Sequence, residues 1–314
     1  MLLKTGCVLI LFFVKNVDVL NNGLALTPPM GWMSWGYYMC GVNCVAKPQK
    51  CLNEQLILSV ADEFYSNGYQ EAGYEYIIID DCWSEKERDE NERLVADRER
   101  FPNGMKYIAD YIHAKGLKFG LYSSAGSTTC MRYPGSKGHL KIDADTFAEW
   151  DVDYVKFDGC FLTEEYLNSV HKSLNWMMSF NTIKNRVQIS VYAMLTVPLI
   201  LSCDMKYITK NERDILVNMN LIAVAQDKLA IQGPHKIYNN ITLWVKKHLP
   251  MKGDQYYSYS FLFVNFGHSA SSVTTYPSLY GPNSTDGYTD VFKNKYILNI
   301  TLEEVLHVQI PKEG

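Results

Sequence analysis

The segment 153–160 combines an apolar β pattern with two charged side chains near its end. Side chains alternate between the two faces of a strand, so Lys156 and Asp158 share a face, opposite the apolar residues between them. In parallel α/β folds, the loops at the carboxyl ends of the strands form the active site. The segment therefore indicates either a catalytic carboxylate beside an ammonium group or a buried structural Lys–Asp ion pair. By itself it favours neither.

Other predicted strands also end in polar or aromatic side chains. Residues 76–79 form a continuous apolar run, typical of a strand buried on both faces, and Asp80 and Asp81 follow directly. Residues 117–122 form another strand, which ends at Tyr122. An apolar strand before these carries Trp32 and Trp35, and we expect their rings on opposite faces.

Predicted helices separate these strands. Asn53 caps the first helix, in which Leu56, Val60 and Phe64 recur one turn apart, and Gly68 ends it. A second helix ends at Gly116, and a third lies near 145–150. Four strand–loop–helix units at this spacing predict parallel βα repeats and a (β/α)8-type barrel.

The repeat weakens after the fourth strand. Residues 166–174 and 176–195 are predicted helical, residues 198–203 form one further strand, and Thr209 with Glu212 predicts a capping box. From about residue 237, β-rich runs indicate a small antiparallel domain. We predict a signal peptide over 1–20, a partial barrel over 21–233 and a C-terminal β domain over 234–314.

Composition excludes some classes of partner. The net charge of −4 and the isoelectric point near 6.0 lack the basic surface that nucleic acid or an anionic membrane would need. The run 6–14 is too short to span a bilayer, which is typical of a secretory signal. With sequons at Asn240, Asn283 and Asn299, it predicts a glycoprotein of the secretory pathway, either lysosomal or secreted.

Cysteine usage agrees with an oxidising compartment. Outside the predicted signal there are seven cysteines, so one stays free or pairs between molecules. The sequence contains no C-x-x-C spacing of the kind that would indicate a zinc site, so disulfides are the better interpretation of the cysteines. We predict no metal and no cofactor.

Six short motifs occur along the chain: TPPMGW at 27–32, IDDCW at 79–83, RFPNG at 100–104, KGLKFGLY at 115–122, YPGS at 133–136 and KFDGC at 156–160. In this order they resemble the animal lysosomal α-galactosidases and α-N-acetylgalactosaminidases of glycoside hydrolase family 27. The resemblance covers nearly all of residues 24–233, with a looser match beyond.

The resemblance implies a role for each site residue. Asp158 matches the nucleophile of a retaining glycosidase, and Lys156 matches the ammonium that holds a sugar hydroxyl. Asp80 and Asp81 match the carboxylates that accept hydrogen bonds from galactose O4 and O6. Aromatic counterparts are Trp35, against the apolar sugar face, and Tyr122, beside the nucleophile. Each aromatic also has a plain core interpretation.

The resemblance also implies the disulfide pairing. It pairs Cys40 with Cys82, Cys44 with Cys51 and Cys130 with Cys160, and it leaves Cys203 reduced.

The chain departs from the family after the fourth strand. Barrel strands five to seven have no counterpart, and the family's acid/base and the residues that read the C2 substituent lie in that stretch. The acid/base is therefore unknown, and galactose is not separated from N-acetylgalactosamine. Glu164, Glu165 and Asp204 are interpreted as solvated loop acids rather than replacement proton donors.

Two hypotheses of different class follow. The first is a glycosidase of reduced competence, acting on an α-galactosyl or α-N-acetylgalactosaminyl glycolipid, glycoprotein or oligosaccharide. The second is a non-catalytic product, either a sugar-binding pseudoenzyme or the product of a truncated splice form or gene. The resemblance further implies a homodimer.

Overall fold

The computed structural model describes residues 26–161, 182–238, 241–252, 256–265, 271–275, 288–290, 295–297 and 306–310. The predicted signal peptide, the asparagines of the three sequons, the predicted helix at 166–174, Glu164 and Glu165 lie outside these residues. None of the helices described is long and apolar enough to cross a membrane.

Five parallel strands form the first unit, an incomplete barrel. In chain order they are β1 (Met30–Met33), β2 (Tyr76–Ile79), β3 (Lys118–Ser124), β4 (Tyr154–Asp158) and β5 (Leu199–Leu201). Their spatial order is β4-β3-β2-β1-β5, so the last strand pairs with the first. Strands β4 and β5 are the sheet edges, and neither has a second strand partner among the described residues. The predicted open barrel is confirmed.

Helices pack on one face of this sheet. They are α1 (Trp35–Tyr38), α2 (Glu54–Ser66), α3 (Gly104–His113), α4 (Leu140–Glu149), α5 (Thr182–Leu195), α6 (Lys210–Leu216) and α7 (Met219–Ala225). Short 3₁₀ turns occupy Pro48–Lys50 and Met205–Tyr207. The core between helices and sheet contains Trp32, Ile77, Phe119 and Leu201, all essentially unexposed.

Several predicted helix boundaries are confirmed by their capping contacts. The Asn53 side chain accepts from the Leu56 amide, and Thr209 and Glu212 form the capping box. The third helix was predicted near 145–150, which is wrong at its start, because α4 begins at Leu140. Its first turn carries Asp143, whose buried carboxylate pairs with Arg88.

The opposite face of the sheet is the inner face of the half-barrel. Met33, Ile78 and Ile200 form a small apolar cluster there, with the rings of Tyr76 and Tyr154 packed against it. Because side chains alternate, the residues two positions further along the strands point the same way. These include Asp80, Lys156 and Asp158.

The C-terminal strands are antiparallel, as predicted. β6 (His235–Tyr238), β7 (Ile241–Lys252) and β8 (Tyr256–Asn265) form a three-stranded sheet. Two further pairs join β9 (Ser271–Thr275) to β12 (Leu306–Ile310), and β10 (Tyr288–Asp290) to β11 (Lys295–Ile297). The domain boundary at residue 233 stays a prediction.

Candidate active site

The carboxyl ends of β2, β3 and β4 bring the predicted site residues together. Lys156 donates to the Asp80 carboxylate, with Nζ 2.7 Å from Oδ2, and both side chains are buried. The Tyr122 hydroxyl donates to Asp158 Oδ2 at 3.1 Å. Lys156 Nζ also lies 5.1 Å from the centre of the Tyr122 ring. An ion pair between Lys156 and Asp158 was one of the two alternatives left open by the sequence, and in the structure the ion-pair partner of Lys156 is Asp80.

Asp158 ends β4 and is half-buried. Its Oδ1 accepts from the Gly159 amide at 2.7 Å, and its Oδ2 accepts from Tyr122. Burial raises the pKa of Tyr122, and the negative charges of Asp81, Asp158 and Asp80 raise it further. The phenol therefore stays protonated and donates to the carboxylate. These two hydrogen bonds orient the half-buried Asp158 carboxyl group.

The adjacent carboxylates Asp80 and Asp81 are almost fully buried. Asp80 Oδ1 accepts from the Asp81 amide at 2.8 Å, and Asp81 accepts from the amides of Cys82 at 2.7 Å and Met131 at 2.9 Å. Burial raises the pKa of Asp80, and the Lys156 ammonium opposes that rise. Fixed amide donors therefore set the orientation of both carboxylates.

Trp35 lies just beyond β1, in α1, and not within the predicted strand. Its half-buried ring packs against the inner-face cluster of Met33, Ile78 and Ile200, whereas Trp32 packs in the core on the helix side. The two rings therefore lie on opposite faces, as predicted. The Trp35 ring therefore lies on the same face of the sheet as the carboxylates.

Three disulfides form as predicted, and among the described residues Cys203 is the free cysteine. The bond between Cys130 and Cys160 joins the loops after β3 and β4, beside Asp158. Ligand atoms of these three residues lie within 4.8 Å of one another. Because the two sulfurs are bonded together, this group is not a thiolate metal site.

Asp204 does not fit its interpretation as a solvated loop acid. It is 8% exposed, and its carboxylate accepts from the Lys206 amide as the cap of the turn after β5. Burial raises the pKa of Tyr38, and the charge of Asp204 and a hydrogen bond to Asp204 raise it further. These local contacts, which a single strand-end acid does not reveal in sequence, remove Asp204 from solvent.

Sequence reasoning missed two residues that support the carboxylates. Ser34 follows β1, and its Oγ accepts from the Asp80 amide at 2.9 Å. Arg100 is buried and donates to the Cys82 carbonyl at 2.6 Å. The position of Ser34 directly after a strand was the available signal. Arg100 was visible only as part of a recognised motif.

The sequence of this chain is similar to that of known proteins. Residues 27–182 and 174–227 match the family described as Alpha galactosidase A. Human alpha-galactosidase A is 47% identical over 166 residues, which cover 51% of this chain and 39% of that protein. Human alpha-N-acetylgalactosaminidase is 34% identical over 317 residues, covering 74% of this chain and 76% of that protein.

The crystal structure of alpha-galactosidase I from Mortierella vinacea is similar to the present fold. It has a TM-score of 0.78 and 26% identity, covering 94% of this chain and 96% of that chain. The two segments that match the family overlap at residues 174–182. The sequence predicts that barrel strands five to seven are missing at this point of the chain. The chain therefore belongs to glycoside hydrolase family 27, the family of alpha galactosidase A.

Proposed function

We propose that this site binds a terminal α-linked galactose or N-acetylgalactosamine and that Asp158 is its nucleophile. The observation that carries the proposal is the Asp158 carboxylate, oriented by Tyr122 at the open end of a family 27 half-barrel. Asp80 and Asp81 accept hydrogen bonds from the sugar's O4 and O6 hydroxyls, and Lys156 donates to a further hydroxyl. Trp35 contacts the apolar face of the ring.

In the proposed reaction, an Asp158 oxygen attacks the anomeric carbon. The bond from that carbon to the leaving-group oxygen breaks, and the electron pair departs with that oxygen, which leaves a glycosyl ester on Asp158. Water then hydrolyses the ester. The relatives' names point to α-galactosides and α-N-acetylgalactosaminides as the substrate class.

Both steps need a second carboxyl group about 5 Å from the nucleophile. Among the described residues, Asp80 is paired with Lys156, and Asp81 is held by two backbone amides. Neither of these two carboxyl groups is free to protonate the leaving group. We therefore propose that activated leaving groups react, that natural glycosides react very slowly, and that the glycosyl ester is long-lived.

The engaged carboxylates also favour a second candidate, a non-catalytic sugar-binding protein. An activated fluorinated α-galactoside separates the two candidates, because a nucleophile becomes covalently labelled and a binding site does not. We expect mass spectrometry to locate the label on the peptide containing Asp158, and no label on Asp158→Asn. Reversible galactose binding without any label would favour the binding protein.

A further inference from the structure

Arg100, in the loop between β2 and α3, is 6% exposed and holds three separate groups. Its Nη1 donates to the Leu52 carbonyl at 3.0 Å, and its Nη2 donates to the Cys82 carbonyl at 2.6 Å. Its Nε and Nη2 both donate to the Asp97 carboxylate, at 3.1 and 2.9 Å. We infer that Arg100 is a positioning residue, which fixes the peptide after Asp80 and Asp81 and thereby the direction of both carboxylates.

The backbone of Cys82 explains why such an anchor is needed. Its φ of +73° lies in the left-handed region, which residues with a β-carbon rarely adopt. This conformation persists only where the surroundings hold it. Cys82 is held by its disulfide to Cys40, by the hydrogen bond from its amide to Asp81 Oδ1, and by the hydrogen bond that its carbonyl accepts from Arg100.

The same segment sets the two carboxylates. The Cys82 N–H, in the 81–82 peptide, donates to Asp81, and the Asp81 N–H, in the 80–81 peptide, donates to Asp80. Arg100 holds the carbonyl of the next peptide, 82–83. A change in the φ and ψ of Cys82 would therefore shift the 81–82 N–H and, through it, the carboxylates. A planar guanidinium has five donors pointing in fixed, different directions, whereas a lysine ammonium is a compact point charge. Arginine can therefore hold the Leu52, Cys82 and Asp97 acceptors at once. The consequence for sugar binding rests on the function proposed above.

Arg88 provides a matched control because its hydrogen-bond partners are of the same chemical types. Its side chain is 9% exposed, it pairs with one carboxylate, Asp143, at 2.6 and 2.9 Å, and it donates to the carbonyls of Glu92 and Gly135. None of these groups belongs to the 80–83 segment. Loss of Arg88 therefore removes a comparable set of hydrogen bonds and leaves the hydrogen bonds of the Cys82 backbone in place.

The test measures backbone hydrogen exchange in the peptide spanning residues 80–84 and galactose affinity by calorimetry. The proteins are the wild type, Arg100→Met, Arg100→Lys and Arg88→Met, each as the full chain with its disulfides intact. We expect exchange to be about tenfold faster and galactose binding about tenfold weaker in Arg100→Met. Arg88→Met should change either value less than about threefold, even where it lowers the melting temperature equally.

Arg100→Lys keeps the charge and should still fold, with exchange and affinity between the wild type and Arg100→Met. If Arg100→Met does not fold, the comparison of Arg100→Lys with the wild type tests the inference. Equal exchange in the Arg88 and Arg100 variants, or wild-type exchange in Arg100→Lys, would overturn the inference. A wild type that binds no galactose, together with selective loss of protection at residues 80–84, would support Arg100 as an anchor and overturn the proposed function instead.

Discussion

Lys156 on β4 reaches across the intervening strand β3 and pairs with Asp80 beyond β2, at 2.7 Å. Tyr122, on the intervening strand β3, has its ring 5.1 Å beneath the ammonium and donates its hydroxyl to Asp158. The positive charge of Lys156 is therefore matched by Asp80, and Asp158 is hydrogen-bonded to Tyr122 instead. Three neighbouring strands are coupled through these four side chains.

The first prediction concerns this buried pair. Lys156→Met or Asp80→Asn alone should reduce the free energy of unfolding, by about 3–5 kcal/mol for Lys156→Met, because each leaves a buried partner uncompensated. The double variant should lose much less than the sum of the single losses. Chemical denaturation of all four proteins gives the coupling energy.

The control is the exposed pair Lys141–Asp145 on α4, which has a similar distance of 2.6 Å. Its coupling should be at most about 0.5 kcal/mol, because both groups are solvated. Additive losses at Lys156 and Asp80 would contradict a coupled buried pair.

The second prediction concerns the disulfides. Removing Cys130–Cys160, with a separation of 30 residues, should lower the unfolding free energy by about 3.6 kcal/mol. Removing Cys44–Cys51, with a separation of 7, should lower it by about 2.4 kcal/mol, because the shorter loop loses less entropy when closed. Denaturation of the paired Cys→Ala variants measures both.

Galactose binding should distinguish these two bonds further. Met131, next to Cys130, donates to Asp81, and Cys160 lies two residues beyond Asp158. Affinity should fall on loss of this bond and stay near wild type on loss of Cys44–Cys51. The reverse order of affinities would show that the bond near Asp158 does not shape the site.

The third prediction concerns pH. Burial lowers the pKa of His248, which contacts Ser260; Lys246 lowers it further, and Asp227 opposes the shift. The unfolded chain then binds a proton more readily than the folded chain, so stability is present above about pH 6.5 and is lost as pH falls through the lowered pKa. His248→Gln should flatten this loss in melting curves recorded between neutral and acidic pH.

His235→Gln, at an exposed position on β6, is the matched control and should keep the wild-type pH dependence. Should the His248 variant lose stability on acidification as steeply as the wild type, other groups govern the effect.

Much of the half-barrel could be predicted because its signals are local. Asn53 and Thr209 cap their helices through residues three positions away, and continuous apolar runs such as 76–79 mark buried strands. The start of α4 was missed because its N-cap, His139, makes no capping hydrogen bond and gives no capping signal in the sequence.

The sequence named residues that the fold brings together, but it did not give the contacts between them. Alternation placed Lys156 and Asp158 on one face but could not show that Lys156 crosses β3 to Asp80. The roles of Ser34 and Arg100 depend on backbone groups brought together by folding, which leave no periodic signal. The burial of Asp204 arises in the same way from a local turn and Tyr38.

The most direct test of the central claim compares turnover of two substrates by purified protein: an aryl α-galactoside of low leaving-group pKa and a natural α-galactosyl oligosaccharide. General acid assistance is worth about 10²- to 10⁴-fold for a poor leaving group, and a phenolate of low pKa needs little of it. We predict labelling or a single burst of aryl release that is abolished in Asp158→Asn, with negligible cleavage of the oligosaccharide. Sustained turnover of the oligosaccharide, lost in Asp158→Asn, would contradict the account, because it would require a second carboxyl group acting opposite Asp158.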